Sequence, residues 1–108
     1  MKRVVSLQTT DLPPGTMQPI DLQGRELLLA HVDGGIYALA RTCTHMGWNL
    51  CEGRLEGRVV TCPRHGARFD VTTGQAVGKA KLLFMSSKPG DLTTFPVTLE
   101  GTKIIVDI

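Results

Sequence analysis

Short apolar runs, each cut off by glycine or proline within a handful of residues, are the feature that most narrows what this chain can fold into. Turn residues recur about every eight to twelve positions between stretches rich in valine, isoleucine, leucine and threonine, a rhythm of strands and hairpins. Val4, Val5 and Leu7 predict a first strand. DLPPGT (11–16) predicts a turn, because its two prolines fix φ and offer no N–H to a ladder. Met17, Ile20 and Leu22 predict a second strand ending at Gly24, and ELLLAHVDGGIYALA (26–40) a hairpin joined at Asp33, Gly34 and Gly35, where glycine accepts the positive φ of a tight turn. RLEGRVVTC (54–62) predicts a hairpin turning at Glu56 and Gly57, and GARFDVTTGQAV (66–77) one turning near Thr73 and Gly74. TTFPVTLE (93–100) and TKIIVDI (102–108) predict the last strands, parted by Gly101, the second closing a sheet edge. Over 78–92 periodicity does not choose between a short helical turn and an extended loop. The fold class is all-β.

With 108 residues the chain has room for one compact domain and a modest core. A hydrophobic fraction of 42% and a charged fraction of 20% are those of an ordinary soluble globular protein, not of a disordered or membrane-spanning one. MKRVVSLQTTD reaches a polar run too soon to read as a secretory signal, so a cytoplasmic address is expected. A net charge of +2, with no block of lysine and arginine, gives no reason to expect nucleic acid. Cys43, Cys51 and Cys62 are odd in number, which speaks against a disulfide framework and leaves metal binding, a reactive thiol or core packing.

Two of those cysteines carry a histidine close behind: Cys43-x-His45, then sixteen intervening residues, then Cys62-x-x-His65. Each pair would sit in a loop at the tip of a β-hairpin, where a rigid scaffold can present ligands. Core packing is the bland reading, since unpaired cysteine is among the most buried residue types, and it accounts poorly for two such pairs. Structural zinc accepts two thiolates and two imidazoles. A binuclear iron–sulfur cluster, with thiolates on one iron and imidazoles on the other, suits loops that contribute one ligand of each kind. His31, inside a predicted strand with no cysteine beside it, is given no role.

In CTHMG (43–47), CEG (51–53) and CPRHGARFD (62–70), framed by DLPPGT, DGGIYALA and TTGQ in order and spacing, the sequence resembles the small Rieske-type [2Fe-2S] ferredoxins over nearly its whole length. The resemblance implies a Rieske-like β-sandwich of antiparallel strands, residues 1–108 forming one domain, with a cluster-binding subdomain of two hairpin loops at about 41–70. It implies Cys43 and Cys62 on the inner iron and His45 and His65 on the outer one, with Pro63 stiffening its loop and Gly47 and Gly66 admitting close backbone approach.

The departures inform as well. Respiratory-chain members of the family carry an extra cysteine in each loop, and Trp48 and Arg64 stand in those places, so no bracing disulfide can form. Those members carry serine and tyrosine hydroxyls where Ala67 and Phe69 stand, which predicts a potential near the low end of the Rieske range of ~−150 to +300 mV. Cys51 reads as a small buried hydrophobe. No nucleophile elbow, phosphate loop or dinucleotide fingerprint is present, in keeping with an electron carrier and not an enzyme. The expected partners are a reductase as electron donor and a terminal oxygenase or reductase as acceptor. The alternatives are the small Rieske subunit of an assimilatory nitrite reductase, a zinc-stabilised interaction module without redox chemistry, and a redox sensor whose cluster state alters binding.

Overall fold

The computed structural model describes residues 3–42, 49–63, 67–77 and 91–108. Within them the chain runs through β1 (Arg3–Gln8), β2 (Met17–Leu22), β3 (Arg25–Val32), β4 (Gly35–Ala40), β5 (Arg54–Glu56), β6 (Val59–Thr61), β7 (Arg68–Asp70), β8 (Thr94–Phe95), β9 (Val97–Glu100) and β10 (Lys103–Asp107), with single 3₁₀ turns at Thr9–Asp11 and Leu50–Glu52. All pairings are antiparallel and build three sheets, ordered β1-β10-β9, β2-β3-β4-β8 and β5-β6-β7.

The run ELLLAHV becomes a central strand because both its faces are covered. Successive side chains on a strand point to opposite faces, and on β3 the alternation is visible in the packing. Leu27 and Leu29 join Leu12, Ile20, Leu22, Ala38, Ile104 and Val106, filling the space towards the sheet that holds β10. Leu28, Ala30 and Val32 face the other way and, with Leu39 of β4, join Leu50, Val60, Cys62, Ala67, Phe69 and Leu92, which belong to the small sheet and its surroundings. A continuous apolar run is what a strand buried on both faces requires. The four-stranded sheet is therefore the middle layer.

Its two hairpins have two-residue loops. Gln23 and Gly24 (φ 51° and 83°) join β2 to β3, and Asp33 and Gly34 (φ 50° and 78°) join β3 to β4. Two successive positive φ values match the right-handed twist of the flanking strands. The DLPPGT turn folds back on β3: the Gly15 amide donates to the His31 carbonyl (2.8 Å), and His31 Nδ1 lies 2.8 Å from the Leu12 carbonyl. A carbonyl only accepts, so Nδ1 carries the proton, and His31 serves this turn.

Three expectations need correction. TTFPVTLE is not one strand: Pro96 has no N–H to donate, and at that residue the chain leaves the middle sheet, where β8 pairs with β4, and enters the outer sheet, where β9 pairs with β10. The last strand does not close an edge. β10 lies between β1 and β9, which is why Ile104, Ile105 and Val106 are all buried. The third predicted hairpin turns where expected, with the Gly74 amide on the Asp70 carbonyl (2.7 Å), but its return arm is a single bridge, Phe69 to Ala76. Of the undecided segment, 78–90 lies outside the described residues. Asp91 and Leu92 lie outside any strand or helix and are bonded across to Ala76 and Gly74.

Candidate metal centre

Of the four expected ligands, Cys62 is described, and Cys43, His45 and His65 lie outside the described residues, as do Gly47, Trp48, Arg64 and Gly66. What the structure shows is how both loops are closed at their stems. The first loop leaves β4 through Arg41 and Thr42 and returns at Asn49 and Leu50, with Thr42 bridging Asn49 and the Leu50 amide donating to the Arg41 carbonyl (2.9 Å). The second leaves β6 and returns in β7, closed by the Thr61–Arg68 pair and by the Cys62 amide donating to the Ala67 carbonyl (2.7 Å).

The stems are packed side by side. Leu50 from the first and Val60, Cys62, Ala67 and Phe69 from the second lie in one buried apolar cluster. Gly53 shows how close the two stems come. A Cβ there would collide with the Thr61 carbonyl, so the glycine of CEG is required by backbone contact at an ordinary φ of −90°. Its amide closes the 3₁₀ turn on the Leu50 carbonyl (3.0 Å), and the Asn49 side chain caps that turn by accepting from the Cys51 amide (2.9 Å).

Cys62 is 2% exposed. Ala67 and Phe69, where hydroxyl donors were expected to be missing, are fully buried apolar residues packed with it. Cys51 is half-buried against the same cluster, and burial pushes its thiol up to about 11, with the positive charge of Arg41 pulling weakly the other way. The sequence predicts a buried small hydrophobe here; Cys51 is only partly buried, with its thiol protonated at neutral pH.

Three supports of the site escaped sequence reasoning. Asp70, 8% exposed, accepts from both the amide (2.9 Å) and the hydroxyl (2.6 Å) of Thr72 and pairs with Arg58 Nε (3.2 Å), fixing the turn after β7. The Asp-x-Thr spacing in FDVTTG is the signal that could have found it. Asp91 accepts from the Ala76 amide (2.8 Å) while the Leu92 amide donates to the Gly74 carbonyl (2.7 Å) and the Ala40 amide to Thr93 (2.9 Å), splicing the small sheet to the middle one. Gly74 (φ 79°) is held there because a Cβ would strike the Leu92 carbonyl. Arg41 reaches Asp21 (3.0 Å) and Glu26 (2.9 Å). Burial works against its charge, but the hydrogen bonds it donates to Glu26 and Asp21, with the attraction of their negative charges, outweigh that and raise its pKa. No local pattern announces partners fifteen and twenty residues away.

Among the described residues no three His, Cys, Asp or Glu side chains gather as a metal site. The donor chemistry nonetheless fits a binuclear iron–sulfur group: a thiol shielded from water, seated where two closed loops meet, with a second cysteine and two histidines in the intervening loop sequence.

The comparisons agree. The family model described as Rieske [2Fe-2S] domain matches residues 2–83. The chain is 36% identical over 98 residues to the ferredoxin component of a naphthalene 1,2-dioxygenase system from Pseudomonas aeruginosa, covering 91% of this chain and 88% of that one. Among solved structures it is similar to the ferredoxin of carbazole 1,9a-dioxygenase from Nocardioides aromaticivorans IC177, at 26% identity and a TM-score of 0.84 over 98% of this chain and 97% of that one. It also matches a chain in a complex of reduced oxygenase and oxidized ferredoxin of carbazole 1,9a-dioxygenase, at 30% identity and a TM-score of 0.83 over 96% and 91% of the two chains. These matches decide between zinc and iron–sulfur in favour of a Rieske-type [2Fe-2S] cluster. With its three-layered antiparallel fold and its paired loops, this chain belongs to the Rieske-type [2Fe-2S] ferredoxin family.

Proposed function

We propose that this protein carries one electron at a time from a reductase to the terminal oxygenase of an aromatic-ring dioxygenase system. The observation that carries the reading is the likeness, over 91% of the chain, to a protein named as the ferredoxin component of such a system. The complex of an oxygenase with a ferredoxin among its structural relatives supports the choice of acceptor. A carrier of this kind is a component of an enzyme system and does not itself transform a substrate.

Residues 1–108 are read as one Rieske domain, with the cluster-binding part at about 41–70. Cys43 and Cys62 would hold one iron and His45 and His65 the other. The bound cluster supplies a site that takes up and gives back one electron. The residues around Cys62 keep water from its sulfur: Leu50, Val60, Ala67 and Phe69 line that side. Because Ala67 and Phe69 offer no hydroxyl, the added charge of the reduced state is stabilised less, and the potential belongs near the low end of the Rieske range. Among the described residues no helix is long and apolar enough to cross a membrane, and a cytoplasmic location is part of this proposal.

Anaerobically purified protein is expected to contain two irons and two acid-labile sulfides per chain, to be red-brown, and to give a Rieske-type electron paramagnetic resonance signal on reduction. Cys62→Ala should abolish all of these. Stoichiometric zinc without sulfide in the wild-type protein would sink the reading.

A further inference from the structure

Arg41 stands at the entrance to the first loop, and its environment is unusual for a surface arginine. Its side chain is only 12% exposed, while the carboxylates that hold it, Asp21 on β2 and Glu26 on β3, are 71% and 65% exposed. One Nη2 donates to both, at 3.0 and 2.9 Å. The backbone of the same residue is fixed twice more: its amide donates to the Glu26 carbonyl (3.1 Å), and its carbonyl accepts from Leu50 (2.9 Å), the residue at which the loop returns. A single residue thus ties two strands of the middle sheet to both ends of the loop. Leu50, bonded to the Arg41 carbonyl, opens the turn that carries Cys51, and both residues pack in the cluster of side chains that includes Cys62. A positive charge held in a poorly solvated place is felt at longer range than one in water.

We infer that Arg41 is a positioning residue for the electron-carrying centre: clamped by Asp21 and Glu26, it holds the first loop's stem on the middle sheet, and its charge favours the reduced cluster. The inference rests on the cluster assignment of the preceding subsection for its electrostatic half. Its mechanical half concerns the protein chain alone. The loop motif alone does not point to this arginine, because its two acidic partners come from strands that are distant in sequence.

The test uses the cluster-loaded full chain with Arg41→Gln and Arg41→Lys, reading iron and sulfide content, midpoint potential and amide hydrogen exchange at Leu50. Arg41→Gln is expected to retain the cluster, lower the potential and speed Leu50 exchange roughly tenfold, the effect of losing hydrogen bonds to a charged group. Arg41→Lys keeps the charge but lacks the planar fork, so it should restore most of the potential and only part of the Leu50 protection. A wild-type potential or a wild-type Leu50 exchange rate in Arg41→Gln overturns the inference. If Arg41→Gln does not fold, the double variant Asp21→Asn/Glu26→Gln, altered only at exposed side chains, replaces it. There the potential should rise, because two negative charges are gone, and Leu50 exchange should quicken; no change in either overturns the inference. Wild-type protein without iron and sulfide would refute the function proposed above, yet Leu50 exchange would still decide the clamp, so the two failures are distinguishable.

Discussion

Cys51 shows how a single side chain near the site converts burial into a pH dependence. Its folded pKa, about 11, stands above the ordinary 9.0, so the folded state holds the thiol proton more tightly than the unfolded state does. The associated stability is present in full below pH 9.0 and is lost as pH rises through about 11. Urea unfolding midpoints are therefore expected to fall over that window in the wild-type protein, and to fall less in Cys51→Ala. At neutral pH, Cys51→Ser should leave the visible spectrum of the cluster unchanged, and loss of colour would reassign the ligands. Gly53 supplies a sharper residue-scale test. Since a Cβ there meets the Thr61 carbonyl, and backbone cannot give way as a flexible side chain can, Gly53→Ala should push the two stems apart. About 1–3 kcal/mol of stability, the usual cost of overpacking, should go with it, and cluster content measured as iron per chain should drop.

At the scale of elements, β3 carries the greatest packing burden, because five of its side chains, Leu27, Leu28, Leu29, Ala30 and Val32, are buried in the two apolar layers. Leu29, fully buried, faces the outer sheet, and Leu29→Ala is expected to destabilise the protein by roughly 2–5 kcal/mol in urea titrations, the range for a buried leucine truncated to alanine. The loop-side counterpart is Asp70. Asp70→Ala strips both Thr72 donors of their acceptor, a loss of roughly 1–3 kcal/mol for partly buried polar groups left unpaired. It should also speed amide exchange at Thr72 more than at Leu29, whose strand does not depend on that turn. The hairpins at this scale were largely legible in advance, since DG at 33–34 and the glycine at 57 state local backbone requirements, although the second turn is made by Gly57 and Arg58, one residue later than expected, with Glu56 still paired to Val59. The split at Pro96 was visible as a residue but not as a consequence: a proline says that a ladder is interrupted, not that the chain changes sheets.

For the molecule as a whole, the layers are joined by a few hydrogen bonds near the site, above all the Asp91 carboxylate on the Ala76 amide and the Leu92–Gly74 backbone contact. Asp91→Ala should loosen that splice, seen as faster exchange at Ala76 with little change at Ala30 in the middle layer. The amino-acid sequence by itself determined the fold class, the hairpin turns, the paired Cys and His motif and the family that goes with it, because each depends on residue types at short spacing: glycine for positive φ, proline for a missing donor, cysteine and histidine close together for the family motif. Which residues brace the centre was left to the tertiary structure. Asp21, Glu26 and Arg41 meet only when β2, β3 and the loop stem are stacked, Gly53 is obligatory only because a second stem passes beside it, and β10 becomes central only when β1 closes on it. Contacts between distant parts of a chain leave no periodicity to read, since they are selected by the geometry of packing and not by neighbouring residues.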